Sequence, residues 1–555
     1  MNPQPPVTRM RTPPSNSAGA GALADFPVRR DQSEGWSAAI AGKDWVPWLI
    51  LALAVVLRFF LLGIKPPHFD EGINGWFVDN DIVKQGFYKY DPTNYHGPLH
   101  FYVLWLSETL LGRNLWALRL PVVLVSSACV WLTLKFEPLV GRTVSRMTAL
   151  AMAVSPGFVF YGRYSIHEVW MLLFTMLFIF GLLGLWKFGS RNYLWCVGLG
   201  IAGMILSKET YIIHIGCAVI GLGVCSIANW LSPTPDARPA KQTWDYVDLA
   251  MVIGTAIALI VFFYSGTFFH WSGLKGLYEA YKPWFATGSE GHGHEKPWYY
   301  WLKIMAPSLQ FNRADCLGYE LPTLAGLVLC LFSLRLSSFS LRYLAIYGVG
   351  MLIAYSIVHY KTPWCIINII WPLLFIFGAS NLIVPAAYRA LTYILSTGLL
   401  CISLVPTIWL NYFHCTTDTE PYVYVQTYND IYKITDPLLK LAGADPIFYQ
   451  LIGHIIRVSP YPLPWILGDF PKIGYYEHNN SPPRFDADFL LVQEDRVQEV
   501  EAKLHDSYFT EPLRIRPYQD TSKLYLSARI FRGFFPGKLP DFVGKESDQE
   551  KSGPQ

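Results

Sequence analysis

Charged residues next to long apolar runs are the first candidates for chemistry. A carboxylate or cation beside hydrocarbon is costly unless it is paired, hydrogen-bonded or put to use. Four groups qualify. Asp70 and Glu71 follow Pro66-Pro67-His68 directly after the first apolar run. Arg163, His167 and Glu168 lie between two further runs, and Lys208 with Glu209 interrupts another pair. His359-Tyr360-Lys361-Thr362-Pro363-Trp364 precedes a fourth. Asp70 with Glu71 offers a general base that takes a proton from a hydroxyl acceptor, one acid orienting the other. The plainer reading is an interfacial acid pair facing water. Glu168 suits the first turn of a helix that re-enters the bilayer, where the helix dipole favours an acid. Its sharper reading brings it together with Asp70 on an acceptor or on a divalent cation (Mg, Mn or Zn), whose oxygen ligands come from more than one loop. Arg163, Lys208 and Lys361 are candidate phosphate binders, the first as a planar fork and the others as point charges. Each alone also reads as a helix-end cation reaching for water. A phosphate leaving group gathers negative charge in the transition state, and fixed cations there lower the barrier.

Other polar motifs carry weaker signals. His292 and His294 stand two apart in the Gly-flanked loop from Glu290 to Glu295, a spacing that is poor for a metal. Lys296-Pro297-Trp298-Tyr299-Tyr300-Trp301 reads as an aromatic interfacial segment that grips lipid or the end of an acyl chain. Asp79, Asp81, Tyr95 and His96 shape the first loop. Seven of the nine cysteines lie in or beside apolar segments and read as small packing residues; Cys316 and Cys415 do not, which leaves a disulfide between them open.

The elements that must position these residues follow from composition. The chain of 555 residues is 52% hydrophobic and 15% charged, against roughly 25% charged in soluble domains. Much of its surface therefore faces something other than water. The net charge of +3 and the lack of basic stretches interleaved with exposed aromatics argue against nucleic acid as a partner. Apolar runs able to span lie near 46–63, 118–136, 147–162, 168–187, 193–207, 211–231, 247–269, 319–334, 342–358, 364–386 and 390–411, about eleven in all. The shorter run from Pro98 to Leu111 contains Glu108 and is expected to lie along the interface as a juxtamembrane helix. With the N-terminus inside and that run excluded, Lys135, Arg142 and Arg146, Lys187 and Arg191, Arg238 and Lys241, Arg335 and Arg342, and Arg389 all fall on the cytoplasmic side, as the positive-inside rule expects. All four chemistry-bearing segments then share the opposite face. Arg58 is the notable charge within a span, close enough to a helix end to snorkel.

The expected organisation is a disordered basic cytoplasmic tail over 1–44, a transmembrane domain over 45–412, an extracytoplasmic α/β domain over 413–540 and a disordered tail over 541–555. Strands are expected at Ile455–Ser459, Phe489–Gln493, Leu513–Arg516 and Leu524–Phe531, with helical character over 494–505. The fold class is an α-helical polytopic membrane protein with a C-terminal soluble α/β domain, integral to the plasma membrane.

Over residues 45 to 410 the chain resembles the GT-C class of membrane glycosyltransferases, nearest to family 39, which holds the protein O-mannosyltransferases and the lipid A aminoarabinose transferases. The resemblance rests on Asp70-Glu71 in a large first external loop, His96-Gly97-Pro98-Leu99 opening the juxtamembrane helix, and Arg119-Leu120-Pro121 opening the second span. It continues with Ser155-Pro156 and with Tyr161-Gly162-Arg163 leading to Glu168. His292 through Tyr300, Lys361-Thr362-Pro363-Trp364 and Pro462-Leu463-Pro464-Trp465 look like a subgroup labelled flippase-activity-associated. The resemblance implies a polyprenyl-phosphate-linked sugar donor used on the outer face of the membrane. It implies Asp70 as base or acceptor-orienting residue, Glu168 as second acid, and Arg163, Lys208 and Lys361 on the lipid phosphate. His96, His292, Trp298 and Trp364 would meet the acceptor or lipid. Two departures stand out: Glu168 replaces the more usual Asp, and His96-Gly97-Pro98 replaces Lys-Pro-Pro, so a phosphate-binding lysine is missing there.

Two function classes compete. One is an inverting glycosyltransferase that moves a hexose or pentose from polyprenyl phosphate to a hydroxyl on a glycan, lipid or protein. The other is a transporter, flippase or non-catalytic accessory protein for lipid-linked sugars. Charges gathered at one face favour catalysis, midplane charges favour transport, and no internal repeat of the transporter kind is evident.

Overall fold

Apolar helices make up most of the chain, as its hydropathy demands. The computed structural model describes residues 44–236, 238–291, 293–306, 319–478 and 480–544. Among the described residues, six helices are long and apolar enough to cross a membrane: Leu115–Val140, His167–Phe188, Tyr211–Leu231, Tyr246–Tyr264, Phe339–Ile357 and Ala386–Phe413. Shorter apolar helices occupy Val46–Phe59, Leu99–Leu111, Leu321–Arg335 and Pro363–Gly378. The remaining expected spans coincide with the helices Arg142–Val154 and Pro156–Tyr161 and with Arg191–Ser207. The protein is an integral membrane protein.

Local chemistry explains the breaks between helices. Ser155 caps Pro156–Tyr161, accepting from the Phe158 N–H, with Pro156 at the first helical position where its missing N–H costs nothing. His167–Phe188 ends at Gly189, whose φ of 64° favours glycine and where a Cβ would lie 2.3 Å from the Lys241 carbonyl oxygen. The next helix, Arg191–Ser207, doubles back against it. A Cβ on Gly203 would sit 2.1 Å from the Phe174 ring, so only glycine permits this approach.

Arg58 does not snorkel. It is fully buried, donating to Ser126 Oγ at 2.7 Å, the Ala54 carbonyl at 3.1 Å, the Met152 carbonyl at 3.1 Å and the Ala153 carbonyl at 3.3 Å. Ala54 is one turn back on the same helix and the other three acceptors come from neighbouring helices, so the guanidinium is satisfied inside the bundle and has no need of water.

The C-terminal region carries a mixed six-stranded sheet. Its strands are β1 (Gly453–Ile456), β2 (Ile473–Tyr475), β3 (Phe489–Gln493), β4 (Ser507–Leu513), β5 (Ser522–Ser527) and β6 (Phe542–Val543), in the order β2-β1-β3-β5-β4-β6. β1 runs parallel to β2 and β3; the other pairs are antiparallel. Side chains alternate between two cores. Phe489 and Leu491 pack with Ile434 and Leu438 of the helix Tyr432–Ala444, while Leu490 and Val492 pack with Val500 and Leu504 on the other face. Three expectations need correction. The strand expected at Leu513–Arg516 is Ser507–Leu513, residues 528–531 turn into a helix, and the sheet continues to Val543 because Phe542–Val543 pairs with Ser507 and Tyr508.

The described residues from Val46 onward form one compact unit. The helix Phe69–Phe77 sits where its two parts meet. A Cβ on Gly72 would lie 2.5 Å from Pro462 Cα, and one on Gly75 would lie 2.3 Å from the Trp465 ring. The Pro462-Leu463-Pro464-Trp465 motif is therefore seated directly on the helix that carries Asp70.

Candidate functional site

His68, Phe69, Asp70 and Glu71 form the first turn of the helix Phe69–Phe77, and capping interactions fix its entry angle. The Asp70 N–H donates to His68 Nδ1 at 3.1 Å, and the His68 N–H donates to Glu71 Oε2 at 2.8 Å. With Nδ1 accepting, Nε2 carries the proton and donates to the Tyr424 carbonyl at 2.9 Å. Burial lowers the imidazole pKa, in keeping with that neutral form.

Glu71 points away from the cavity into protein. Its carboxylate receives Arg119 Nε at 2.8 Å and Nη2 at 2.7 Å, and also the Ser165 N–H at 2.8 Å. Both partners of this ion pair are fully buried. Burial pushes the Glu71 carboxyl up, but the Arg119 guanidinium overrides it and holds the group below its ordinary value. Arg119 also ties the Leu62, Lys65 and Pro66 carbonyls, at 2.7, 2.9 and 3.1 Å. Asp70 is the freer acid: its side chain is partly exposed and lines a cavity of about 610 Å³.

That cavity gathers half of the site residues expected from the sequence. Asp70, His96, Glu168, Lys208 and Trp364 line it, together with Tyr95, His167, Glu209 and Tyr360. Glu168 and Lys208 form a buried ion pair, and Glu209 accepts from or shares a proton with His96 Nδ1 at 3.0 Å. Burial works against the Lys208 ammonium, but the Glu168 and Glu209 carboxylates outweigh it and hold its pKa well above the usual lysine value. Burial likewise raises Glu209, yet His96 and Lys208 bring it below the ordinary carboxylate value. The cavity thus holds one permanent cation between two acids. Trp364 meets His68 edge-on with centroids 6.0 Å apart, closing the wall beside Asp70.

Other expected site residues stand elsewhere. Arg163 caps a helix end: Nη1 donates to the Leu57, Arg58 and Phe60 carbonyls at 3.0, 3.3 and 2.7 Å, and Nη2 to Leu61 at 2.9 Å. The last carbonyls of Val46–Phe59 have no intrahelical donors, and Arg163 supplies them in place of a phosphate contact. The Lys361 ammonium donates to the Lys296 carbonyl at 3.2 Å and to the Val358 carbonyl, behind the wall formed by Tyr360, Thr362 and Trp364. Trp298 is exposed and away from the cavity, His292 lies outside the described residues, and so does Cys316. His294 Nδ1 meets Tyr424 Oη at 2.5 Å, tying its loop to the segment that also receives His68.

For the divalent cation expected on Asp70 and Glu168, no group of three His, Cys, Asp or Glu side chains is present among the described residues, and the Glu168 carboxylate is engaged by Lys208, which leaves Asp70 as the open acid.

Several residues of the site were not singled out for chemistry in the sequence. Arg119 carried a usable signal, since an arginine inside an apolar span demands a partner. His167, grouped in the sequence with Arg163 and Glu168 but given no role there, has Nε2 buried and unpartnered among the described residues.

Residues 95–263 match the family model described as dolichyl-phosphate-mannose-protein mannosyltransferase. Among solved structures, ArnT from Cupriavidus metallidurans bound to undecaprenyl phosphate is similar, with a TM-score of 0.58 and 12% identity over 86% of this chain and 98% of that one. The same protein in the apo state gives 0.56 and 13% over 89% and 99%. The chain has the GT-C fold of ArnT with a small C-terminal sheet domain. No curated protein sequence matches it.

Proposed function

We propose that this protein is a membrane glycosyltransferase that transfers a sugar from a polyprenyl-phosphate donor to a hydroxyl acceptor. The observation that carries the reading is the convergence of a partly exposed carboxylate, Asp70, with a fixed cation, Lys208, on one cavity of about 610 Å³ among helix ends. The undecaprenyl phosphate bound to the similar ArnT structure and the mannosyltransferase family match support the donor class.

The acceptor hydroxyl oxygen attacks the anomeric carbon, and Asp70 takes its proton. As the new C–O bond forms, the bond from that carbon to the phosphate oxygen breaks. The electron pair leaves on the lipid phosphate, where Lys208 offsets the charge. Glu168 holds Lys208 charged and in place. One displacement inverts the anomeric carbon. Glu71 does no proton chemistry here; with Arg119 it fixes the helix that presents Asp70.

The basic loops support an orientation with the N-terminus in the cytoplasm, about eleven crossings, and both the cavity and the sheet domain outside the plasma membrane. Arg58, the notable charge within a span, is engaged by Ser126 and backbone carbonyls inside the bundle, which supports catalysis at the cavity over transport through the spans.

Protein purified into lipid bilayers and given polyprenyl-phosphate hexoses and pentoses is expected to release free polyprenyl phosphate in step with glycoside formation. Donor binding without release, across a broad panel of alcohol, lipid and peptide acceptors, would overturn the reading.

A further inference from the structure

The sheet presents one edge to the Asp70 helix, and its topology says which. β5 begins at Ser522 opposite Gln493, the last residue of β3, so the segment joining β4 to β5 lies with the carboxyl ends of β1 and β3. From that segment Arg516 places its guanidinium carbon 3.7 Å over the Phe69 ring, one residue from Asp70. Tyr461, beyond the end of β1, meets the same ring edge-on at 6.0 Å. The carboxyl edge of the parallel strands therefore faces the catalytic turn.

Two observations on that edge point to a ligand. The first is a cavity of about 540 Å³, within the range of small-molecule sites. It opens between β1, whose chain leaves toward β2, and β3, whose chain leaves toward the other side of the sheet. Parallel sheets bind ligands where successive connections part in this way. Arg457, Tyr476, Gln493, Asp495, Arg496 and Glu499 line it. The second is Arg516, which stands beside the cavity rather than in its lining and is joined to it through Ser459 and the Gln519 that holds Arg457. Arg516 is only 6% exposed, and Nη2 donates to Ser459 Oγ at 2.7 Å. Nη1 is buried and has no hydrogen-bond partner among the described residues. A buried N–H of this kind is costly until an acceptor reaches it.

The lining also indicates what would be bound. Both signs of charge face one small volume, so an anion would meet Asp495 and Glu499 as well as the arginines. A polyhydroxylated ligand matches all of them, because each hydroxyl both donates and accepts. Arg457 is held by Ser522 Oγ at 2.8 Å and Gln519 Oε1 at 2.7 Å, which makes the floor rigid.

We propose that the carboxyl edge of the extramembrane sheet is a carbohydrate-binding site that receives a glycan acceptor, with Arg516 linking that site to the Asp70 turn. Its identification with the acceptor rests on the glycosyltransferase reading; binding of carbohydrate does not. The test uses the full-length protein in nanodiscs and a panel of tri- to hexasaccharides of mannose, glucose, galactose and arabinose, with binding followed by saturation-transfer NMR. At least one member is expected to bind. Asp495→Ala with Glu499→Ala, both at exposed positions, is expected to weaken it about tenfold or more, as is Arg516→Gln, while Lys440→Ala on the far helix leaves it unchanged. If no oligosaccharide binds the unmodified protein, or if binding survives the Asp495 and Glu499 substitutions, the proposal is wrong. Survival in Arg516→Gln alone removes the link to Asp70. Donor turnover is measured separately on the unmodified protein, so its failure would sink the glycosyltransferase reading and leave the binding result standing.

Discussion

Arg119 grips Glu71 with two parallel hydrogen bonds, Nε to Oε1 at 2.8 Å and Nη2 to Oε2 at 2.7 Å, and neither side chain is exposed. The pair joins the second apolar helix to the turn that carries Asp70. Glu71 is committed to Arg119, while the neighbouring Asp70 remains partly exposed on the cavity.

Removing one partner strands the other in a low-dielectric interior. Glu71→Gln is expected to destabilise by about 3–5 kcal/mol, read as a drop in thermal unfolding temperature in detergent. The double variant Glu71→Gln with Arg119→Met should recover part of that loss. Equal or greater damage in the double variant would mean that the pair is not acting as a unit.

Lys208 is the cation that faces the cavity. Lys208→Met is expected to weaken undecaprenyl phosphate binding about tenfold or more by isothermal titration, with Glu168→Gln intermediate. The two substitutions should couple by about 1 kcal/mol or more in a double-mutant cycle, because they touch. Independent effects would contradict the buried ion pair.

Arg163 gives the opposite expectation. Arg163→Lys loses the fork that caps Val46–Phe59 and should lower stability by about 1–3 kcal/mol while leaving undecaprenyl phosphate affinity unchanged. A loss of affinity at unchanged stability would restore the phosphate role suggested by its position in the sequence.

Glu108 supplies a pH dependence. Burial in the helix Leu99–Leu111, with the Asp79 charge second, raises its pKa from the ordinary 4.5 to about 7. The folded protein therefore holds this proton more tightly than the unfolded chain. That contribution is fully present below about pH 4.5 and is lost as pH rises to about 7, a change of at most about 3 kcal/mol. Glu108→Gln should match the unmodified protein at pH 4.5 and unfold at a higher temperature at pH 8. No difference at pH 8 would show that burial does not raise the pKa of this carboxyl.

Local patterns in the chain reveal a good deal of this. The apolar runs coincide with helices because hydropathy alone dictates burial or lipid contact, and Phe489–Gln493 is visible as a strand because five successive residues favour it. Asp70, Glu168 and Lys208 were recognisable as charges at apolar ends, and they do share a cavity. Long-range pairings were not visible. Arg119 lies 48 residues from Glu71, and nothing local assigns them to each other. Arg163 shows why a cation at a helix end is ambiguous, since bare carbonyls attract it as strongly as phosphate does. β4 lies N-terminal to the expected Leu513–Arg516 because Glu511 and Pro512 break the apolar alternation near its end. Arg516, placed by the sequence reading within a strand, lies in the connection after it and reaches Phe69.

The most direct test of the central claim compares the unmodified protein with Asp70→Asn, both in lipid bilayers, each supplied with radiolabelled polyprenyl-phosphate sugars and an acceptor panel. Free polyprenyl phosphate and labelled product are followed together with the unfolding temperature. Asn keeps the shape of Asp70 and removes its basicity, so turnover should fall by about 10²-fold or more with unfolding temperature and donor affinity unchanged. Equal turnover in the two proteins would show that Asp70 is not the base.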